Sequence, residues 1–286
     1  MKHVILIPVY NDWKSLNKLL VEVDKSLKNI KNFNTEILIL NDKSTEKYYI
    51  NKKNFLSIKK ISMLTLKKNL GSQKAIAAGL NYLKKLKNKF FVTIMDADGE
   101  DNPKEIEKML NLAVEYENCV ITSNRKKRKE SLLVVLLYRI HLLITFVFTF
   151  KWISFGNFTA FCSNNIIKLL SNNSSWYAHS SSVLKNCKIK KVYAKREKRY
   201  FDKSKLNLMS LMEHSLRVNA VFFSRIFINS LLYSAILLWT VKSSYLNYIL
   251  IVFILIFNIL VFVIKKKHYI KDFSILDDLI DNIKLH

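Results

Sequence analysis

A short apolar run that ends in a cluster of acids is the feature that most constrains the fold of this chain. Residues 90–95 are almost wholly apolar, and four carboxylates follow at once: Asp96, Asp98, Glu100 and Asp101. Such a run predicts a buried strand, and α/β proteins place their chemistry in the loop just past a buried strand. Alternate carboxylates leaving one strand can bind a hard divalent cation. The alternative is a solvated acidic loop that caps the next helix, so the rest of the chain has to decide.

Further apolar runs alternate with helical patterns along the first half of the chain. The predicted strands are residues 4–9, 36–40, 61–66, 90–95 and 119–122, and the predicted helices are residues 13–30, 72–86 and 103–117. Alternating strands and helices predict an α/β fold with a mostly parallel sheet flanked by helices on both sides. The strands are continuously apolar, as sheets buried on both faces require.

Acidic residues follow three of these strands. Asp12, Asp42 and the pair Asp96 and Asp98 each come just after a predicted strand. The carboxyl ends of parallel strands share one edge of a sheet, and ligands bind at that edge. Carboxylates gathered there would repel an anionic ligand unless a cation were also bound. The sequence therefore predicts a site at this edge that uses a divalent metal ion.

The charge of the chain restricts its partners. The 286 residues carry a formal net charge of +25, with a pI of about 9.8. This charge indicates a polyanionic partner: a nucleic acid, an acidic membrane surface or a phosphorylated substrate. A nucleic-acid binder would show base-stacking motifs and no membrane segment, and we expect no nucleic-acid partner. Three scattered cysteines show neither zinc spacing nor a disulfide framework, which is typical of a reducing compartment.

Three long apolar segments predict an association with a membrane. Residues 132–150 have Arg139 and His141 at their middle, so we expect a helix that lies in the interface or packs on the domain. Residues 226–241 and 245–264 predict two transmembrane helices. Basic residues flank this pair on both sides, which predicts a hairpin with both ends in the cytoplasm.

The resulting domain plan has four parts. It comprises a catalytic domain at 1–208, a juxtamembrane helix at 209–225, two transmembrane helices within 226–264, and a cytoplasmic amphipathic tail at 265–286. The tail has apolar residues at helical spacing, so we expect a helix there.

Several motifs, taken in order, resemble those of one enzyme family. They are IPVYND (7–12), LND (40–42), NLGSQKAIAAGL (69–80), MDADGEDNP (95–103), NRKKR (124–128), FGNFTAF (155–161) and KREKRYFDKSKLNL (195–208). The ordered set resembles glycosyltransferase family 2 with the GT-A fold, in particular the branch of polyprenyl-phosphate glycosyltransferases that includes dolichol-phosphate mannose synthases. The similarity continues into a two-helix membrane anchor in the expected place.

The resemblance implies roles for individual residues. Those implied to bind the nucleotide sugar are Pro8, Tyr10, Asp12, Asp42, Asn69, Gly71 and Lys74. Asp96 and Asp98 would hold the metal with Glu100 beside them, and the implied catalytic set is Asp96, Asp98, Asp101, Arg125 and Arg128. Arg196, Arg199, Ser204 and Lys205 match a late basic motif that holds phosphates near the membrane. Asn157 stands where one branch of the family has Asp.

These patterns together predict an enzyme bound to a membrane. The resemblance implies that this enzyme would transfer a sugar from a nucleotide diphosphate sugar to a polyprenyl phosphate with inversion, assisted by Mg²⁺ or Mn²⁺. We expect the bacterial inner membrane, with the catalytic domain on the cytoplasmic side and a homo-oligomer as a possible assembly. Two alternatives remain open: a glycosyltransferase that extends a cell-surface saccharide, and a catalytically silent membrane scaffold that keeps the fold.

Overall fold

The structure is a computed structural model of the chain, and it describes residues 1–51, 55–125, 132–194, 197–201, 208–240 and 245–285. The described residues form two compact units. The first unit lies within residues 1–128, 154–204 and 270–286, and the second lies within residues 129–153 and 205–269.

The first unit is built on an eight-stranded sheet with the order β7-β5-β6-β4-β1-β2-β3-β8. Its strands are β1 (Lys2–Val9), β2 (Asn34–Asn41), β3 (Ile58–Leu66), β4 (Phe91–Ile94), β5 (Cys119–Arg125), β6 (Phe155–Cys162), β7 (Lys188–Ala194) and β8 (Ile280–Leu285). β6 and β8 run antiparallel to their neighbours, and the other six strands share one direction. The predicted mostly parallel sheet is thus confirmed, with two antiparallel strands that the pattern did not predict.

Helices cover both faces of this sheet. They are α1 (Trp13–Leu27), α2 (Ser72–Lys84), α3 (Ile106–Glu115), α5 (Asn165–Leu170), α6 (Ser174–Tyr177), α7 (His179–Asn186) and α11 (Ile275–Asp278), with 3₁₀ turns at Pro103–Glu105 and Ser171–Asn173. Side chains of β1 alternate between two buried clusters: Ile5 and Ile7 pack with α1 and α3, whereas Val4 and Leu6 pack with α2. Burial on both faces explains why β1 is apolar at every position from Val4 to Val9.

The C-terminal tail is not the predicted amphipathic helix. Only Ile275–Asp278 is helical, and Ile280–Leu285 pairs antiparallel with β3, with Leu64 opposite Ile283. Leu276 is fully buried among residues of the α2 side of the core. The prediction was wrong because β3 offers unpaired backbone hydrogen-bonding groups at the edge of the sheet. Pairing with this edge outweighs the helix preference that the apolar spacing indicates.

The second unit consists of four helices in the described residues. They are α4 (Leu132–Thr149), α8 (Leu208–Ala220), α9 (Phe223–Thr240) and α10 (Tyr245–Lys267). Polar side chains join them: His141 Nδ1 lies 2.6 Å from the hydroxyl of Ser215, and the Asn258 amide donates to Ser230 at 2.7 Å. The pattern predicted these helices with ends that differ by only a few residues.

The last turn of α4 is capped by side chains of α9. The backbone carbonyl of Phe148 accepts from Asn229 at 2.8 Å, and that of Val147 accepts from the Tyr233 hydroxyl at 2.6 Å. These carbonyls have no partner within their own helix, because the last turn of any α-helix leaves them unpaired. The caps hold the end of α4 against α9.

One helix of the described chain, α10, is long and apolar enough to cross a membrane. Its mean hydropathy is 2.8 over the most apolar window, and 17% of that window is buried, so α10 does not have the buried surroundings of a core helix. Helix α9 passes the same test only together with α8, from which it is bent by 86°. The predicted two-helix hairpin is therefore not confirmed by length and composition, and it stays a prediction.

Candidate active site

Three strands bring their following acids to the same edge of the sheet. β1 lies between β2 and β4, and all three run in one direction. Asp12 follows β1 and precedes α1, and the backbone N–H of Asp42 donates to the carbonyl of Val9 at 2.9 Å. Asp96 and Asp98 follow β4. The carboxyl edge is therefore acidic, as the sequence predicts.

Arg199 joins two of these acids. Its guanidinium nitrogens lie 3.2 Å from Asp12 Oδ2 and 3.2 Å from Asp98 Oδ2. Asp12 and Asp98 therefore converge on one point, although they lie 86 positions apart in the chain. Arg199 thus contacts acids that are predicted to bind the donor, and its predicted role at the acceptor phosphate stays a prediction.

Backbone hydrogen bonds hold Arg199 in this place. The N–H groups of Glu197 and Tyr200 donate to the carbonyls of Glu100 and Asp98 at 3.0 and 2.9 Å. Gly99 lies beneath the ring of Tyr200 with φ +84°, and a Cβ there would approach the ring to 2.4 Å. Only glycine tolerates both this backbone conformation and this close contact. The acidic loop and residues 197–201 thus pack as one piece.

The surroundings of Asp98 favour a bound cation. Burial, followed by repulsion from the carboxylates of Asp96 and Glu100, raises the pKa of Asp98 to about 6, although the backbone N–H of Glu100 and the charge of Arg199 oppose the rise. A positive ion placed among these carboxylates would lower that pKa again, because it stabilises their charged forms. Arg199 supplies part of this positive charge in the structure.

The donor set fits a divalent cation that shares its coordination with a substrate. Among the residues that the structure describes, no group of three or more His, Cys, Asp or Glu side chains is arranged to hold a metal ion. Mg²⁺ commonly takes one or two carboxylates from the protein and its remaining ligands from substrate phosphates and water. Asp96 and Asp98 have the oxygen atoms to hold such a cation, and Asp96, Asp98 and Glu100 as its ligands stay a prediction.

Asp96 is held from two directions. Its backbone N–H donates to Asp101 Oδ2 at 3.1 Å, and its side-chain Oδ1 accepts from the Asn157 amide at 2.9 Å. Asp101 is buried. The contact shows Asp101 shaping the loop, and its predicted catalytic role is not tested by it.

Asp42 has a different environment from Asp98. Its two carboxylate oxygens accept the backbone N–H groups of Leu70 and Gly71, each at 2.7 Å. Burial raises the pKa of Asp42 to about 6, although these two hydrogen bonds and the charge of Lys74 lower it. Asp42 therefore shapes the loop that leads into α2, and its predicted contact with the nucleotide base stays a prediction.

The other residues predicted to bind the donor lie near this edge of the sheet. Pro8 is buried within β1, and Tyr10 just beyond it is 39% exposed. Asn69 is exposed, and its side chain accepts the N–H of Gly71 at 3.2 Å. The ammonium of Lys74 lies 4.8 Å from the ring centre of Trp176. Their roles toward a nucleotide remain predictions.

Part of the predicted site falls outside the described residues. Arg128, Arg196, Ser204 and Lys205 lie there. Arg125 is the last residue of β5. The predicted roles of these residues toward the acceptor therefore stay predictions.

Two polar residues of the site were not among the predicted ones. Asn157 lies on β6 and binds Asp96, and Gln73 in the first turn of α2 binds Asn157 at 3.0 Å between Nε2 and Oδ1. A polar residue in the otherwise aromatic run FGNFTAF was the available signal for Asn157. Gln73 carried no signal, because a buried glutamine in a helix has no distinctive spacing.

The fold and the site define an α/β protein whose acidic site lies at the carboxyl edge of a sheet covered by helices on both faces. The sequence profile of the family described as Glycosyl transferase family 2 matches residues 4–173. The chain therefore belongs to glycosyl transferase family 2, which confirms the family and the class of enzyme that the motifs predict. A search of curated protein sequences gives no significant match.

Solved structures share the fold at low sequence identity. Glucosyl-3-phosphoglycerate synthase from Mycobacterium tuberculosis, solved with Mn²⁺, uridine diphosphate and phosphoglyceric acid, has a TM-score of 0.51 at 14% identity over 79% of this chain and 78% of that chain. Mannosyl-3-phosphoglycerate synthase from Rubrobacter xylanophilus has 0.51 at 12% over 80% and 74%. These similarities support a GT-A-like fold.

A third solved structure extends well beyond the region that this chain matches. Residues 1–349 of TarS from S. aureus have a TM-score of 0.44 at 15% identity over 79% of this chain. The present chain spans 65% of that one.

Proposed function

We propose that this protein is a membrane-anchored, inverting glycosyltransferase that moves a sugar from a nucleotide diphosphate sugar to a polyprenyl phosphate. The observation that carries the proposal is the meeting of Asp12, Asp98 and Arg199 at the carboxyl edge of a family 2 domain. Asp98, together with Asp96, offers oxygen ligands to a divalent cation, and the guanidinium of Arg199 is suited to phosphate. A nucleotide diphosphate with its cation matches both.

The donor is the better supported half of the reaction. The synthase from M. tuberculosis, which shares the fold, was solved with Mn²⁺ and uridine diphosphate. This supports a nucleoside diphosphate donor and Mn²⁺ or Mg²⁺ for the present chain. When bound, the cation would neutralise charge on the departing diphosphate as a Lewis acid.

The residues of the chain would bind and orient the donor. Asp96 and Asp98 present carboxylate oxygens, and Arg199 brings a positive charge to the same place, where it would offset charge on the diphosphate. In the transfer, an acceptor oxygen forms a bond to the anomeric carbon while the bond to the diphosphate oxygen breaks. The diphosphate keeps the electron pair, and attack from the opposite side inverts the anomeric centre.

The acceptor is proposed to be a phosphate because such a group needs no strong base. A phosphomonoester is already anionic near pH 7, whereas a sugar hydroxyl must lose a proton during attack. Beyond Asp101 the sequence has no acid in an obvious base motif downstream. The basic residues around 195–205 would suit a lipid phosphate.

The C-terminal strand supports the predicted transmembrane hairpin. Residues 197–201 and β8 both belong to the first unit, so the chain leaves that unit and returns to it between them. The number of membrane crossings in this segment must then be even, because both ends are on one side. If α10 crosses, a second helix must cross as well, and α9 with its 18 residues is the available one.

The same reasoning supports an interfacial position for α4. β5 before it and β6 after it are paired in one sheet, so an even number of crossings applies here too. Residues 126–154 are too few for two crossings, which need about 20 residues each. We therefore propose that α4 lies along the membrane and does not span it.

Transfer of labelled sugar into a lipid tests the reaction. The full chain, purified in detergent, is incubated with labelled nucleotide sugars and polyprenyl phosphate, with and without Mn²⁺. Label in the lipid phase that depends on Mn²⁺ supports the proposal. Label on a water-soluble saccharide supports the alternative acceptor, and release of nucleotide without a lipid product that persists in Asp98→Ala contradicts the proposal.

Cysteine labelling tests the topology. Tyr245→Cys lies at the start of α10 and Ser274→Cys beyond its end. A membrane-impermeant maleimide should label the first in intact cells and the second only after lysis. Labelling of both in intact cells, or of neither, contradicts the hairpin. The unsubstituted chain, with its own three cysteines, is the control.

A further inference from the structure

A chain of hydrogen bonds runs from the backbone of α7 to the acid Asp96. The N–H of His179 donates to Gln73 Oε1 at 2.7 Å, and Gln73 Nε2 donates to Asn157 Oδ1 at 3.0 Å. Asn157 Nδ2 then donates to Asp96 Oδ1 at 2.9 Å. We name the side chains of Gln73 and Asn157 the amide relay. Three elements far apart in sequence, α2, β6 and α7, meet in it.

The direction of every donor in the relay follows from its first member. A backbone N–H can only donate, so Gln73 must turn its oxygen toward His179 and its NH₂ group toward Asn157. Asn157 must then turn its oxygen toward Gln73 and its NH₂ group toward Asp96. The relay therefore delivers a donor to Asp96, and neither amide can flip without placing two like groups against each other.

His179 itself is neutral and fixed. Thr159 donates its hydroxyl proton to the carbonyl of Asn157 at 3.1 Å, so the same hydroxyl oxygen accepts from Nε2 of His179 at 2.9 Å. Burial lowers the pKa of His179 to about 3, which keeps the ring uncharged at neutral pH. The start of the relay thus does not change with pH in the neutral range.

The end of the relay engages one oxygen of a site carboxylate. Asp96 Oδ1 accepts from Asn157, and Oδ2 accepts no hydrogen bond within the part of the chain that the structure describes. The backbone N–H of Asp96 is held separately by Asp101. The carboxylate therefore has a defined orientation, with one oxygen left for a ligand.

We propose that Gln73 and Asn157 are positioning residues, which orient the Asp96 carboxylate toward the cation and nucleotide. Residues that bind the ligands of a metal typically change metal affinity by about 10-fold to 100-fold when they are replaced. This inference rests on the proposed function, because it requires that Asp96 meets a nucleotide with its cation.

Two replacements of Gln73 separate orientation from packing. Gln73→Met keeps the length of the side chain and removes both hydrogen bonds. Gln73→Glu introduces a carboxyl group that can donate to Asn157 when protonated but can only accept when ionised. Once ionised, it forces Asn157 to turn over and to present its oxygen to Asp96, which is repulsive.

The experiment measures binding without turnover. The affinity of the full chain in detergent for Mn²⁺ with UDP, or with GDP where UDP does not bind, is measured by calorimetry from pH 5 to pH 8. We expect Gln73→Met and Asn157→Ala to weaken Mn²⁺ binding by about 10-fold or more relative to wild type. The affinity of Gln73→Glu relative to wild type should fall by about 10-fold between pH 5 and pH 8, and that of Gln73→Met should stay constant.

The outcomes distinguish the relay from the proposed function. If wild type binds neither Mn²⁺ nor a nucleoside diphosphate, both are overturned. If wild type binds and all three variants bind as tightly at every pH, only the relay is overturned. A general loss of affinity without the pH trend in Gln73→Glu also overturns it, because packing alone would produce that result. Thermal unfolding of each variant identifies a fold defect, and the half-buried Asn157→Ala serves where a Gln73 variant does not fold.

Discussion

The acidic turn after β2 and the acidic loop after β4 occupy equivalent positions in the sheet and have different surroundings. Asp42 and Asp98 are both buried enough for the pKa of each to rise to about 6. The Asp42 carboxylate is bound by two backbone N–H groups, whereas the Asp98 carboxylate faces other acids and Arg199. Asp98 also accepts the backbone N–H of Glu100 at 3.0 Å, so what distinguishes it from Asp42 is the negative charge of Asp96 and Glu100 around it.

This difference separates an acid that organises its own turn from an acid that attracts a cation, and the predicted contact of Asp42 with the nucleotide stays a prediction. Backbone N–H groups and the charge of Lys74 offset part of the cost of burying the Asp42 carboxylate. Repulsion around Asp98 is relieved by an additional cation. Position at a strand end is therefore not sufficient to identify a functional acid, because the neighbouring charges decide its role.

Replacing Asp98 tests the functional side of this comparison and should have the largest effect. Asp98→Asn removes a charged ligand of the diphosphate site, and we expect sugar transfer to fall by about 100-fold to 1,000-fold. The melting temperature should not fall, because the repulsion among Asp96, Asp98 and Glu100 decreases. Transfer and thermal unfolding are measured together. The control Glu107→Gln removes one charge from the exposed face of α3, and an equal loss of transfer there would contradict the comparison.

Replacing Asp42 should have the opposite profile. Asp42→Ala leaves the backbone N–H groups of Leu70 and Gly71 without their acceptor, so we expect the free energy of unfolding to fall by about 2–4 kcal/mol. Denaturant unfolding measures this change. A variant with unchanged stability and strongly reduced Mn²⁺ affinity would show that Asp42 is a ligand and would remove the distinction drawn here.

Two glycines allow a matched test of the loops. Gly99 and Gly71 both have positive φ, at +84° and +86°, but a Cβ at Gly99 would meet the Tyr200 ring, whereas one at Gly71 meets nothing within 4 Å. Each alanine replacement should cost about 1 kcal/mol for its backbone conformation, and Gly99→Ala should cost more because Tyr200 must move. It should also reduce sugar transfer, since Arg199 lies next to Tyr200. Equal melting temperatures and equal transfer rates for the two variants would contradict the packing of residues 197–201 on the acidic loop.

The pH dependence of stability tests the raised pKa of Asp42 directly. The pKa of Asp42 is about 6 in the folded protein and near its ordinary value of 3.8 in the unfolded chain. Between about pH 4 and pH 6 the folded state therefore binds more protons at Asp42 than the unfolded state does. The contribution of Asp42 to the free energy of unfolding consequently falls as the pH rises through that window. In Asp42→Asn, the decrease in the free energy of unfolding between pH 4 and pH 7 should be smaller by about 1–3 kcal/mol. Denaturant unfolding of wild type and variant at pH 4 and pH 7 checks it, and parallel curves would show that the pKa of Asp42 is not raised.

Much of the sheet and the acidic edge could be predicted from the sequence. The strands that end at Asp12, Asp42 and Asp96 are buried on both faces, so their apolar runs are continuous and their ends are marked by polar residues. By contrast, β6, β7 and β8 were not predicted as strands. β7 is a basic, half-exposed edge strand and β8 has a helical apolar spacing, so neither carries the signal of a buried strand.

The sequence by itself determined the family, the succession of the central strands along the chain and the acids that follow them, because local hydrophobic pattern and motif order encode these features. Only the tertiary structure decided the partners of those acids. Arg199 reaches Asp12 across 187 positions, and Gln73 reaches Asn157 across 84. Such contacts depend on which elements become neighbours and on the direction of each hydrogen bond. The C-terminal strand is also decided by tertiary structure. Its sequence has helical apolar spacing, but its backbone pairs with the edge of β3.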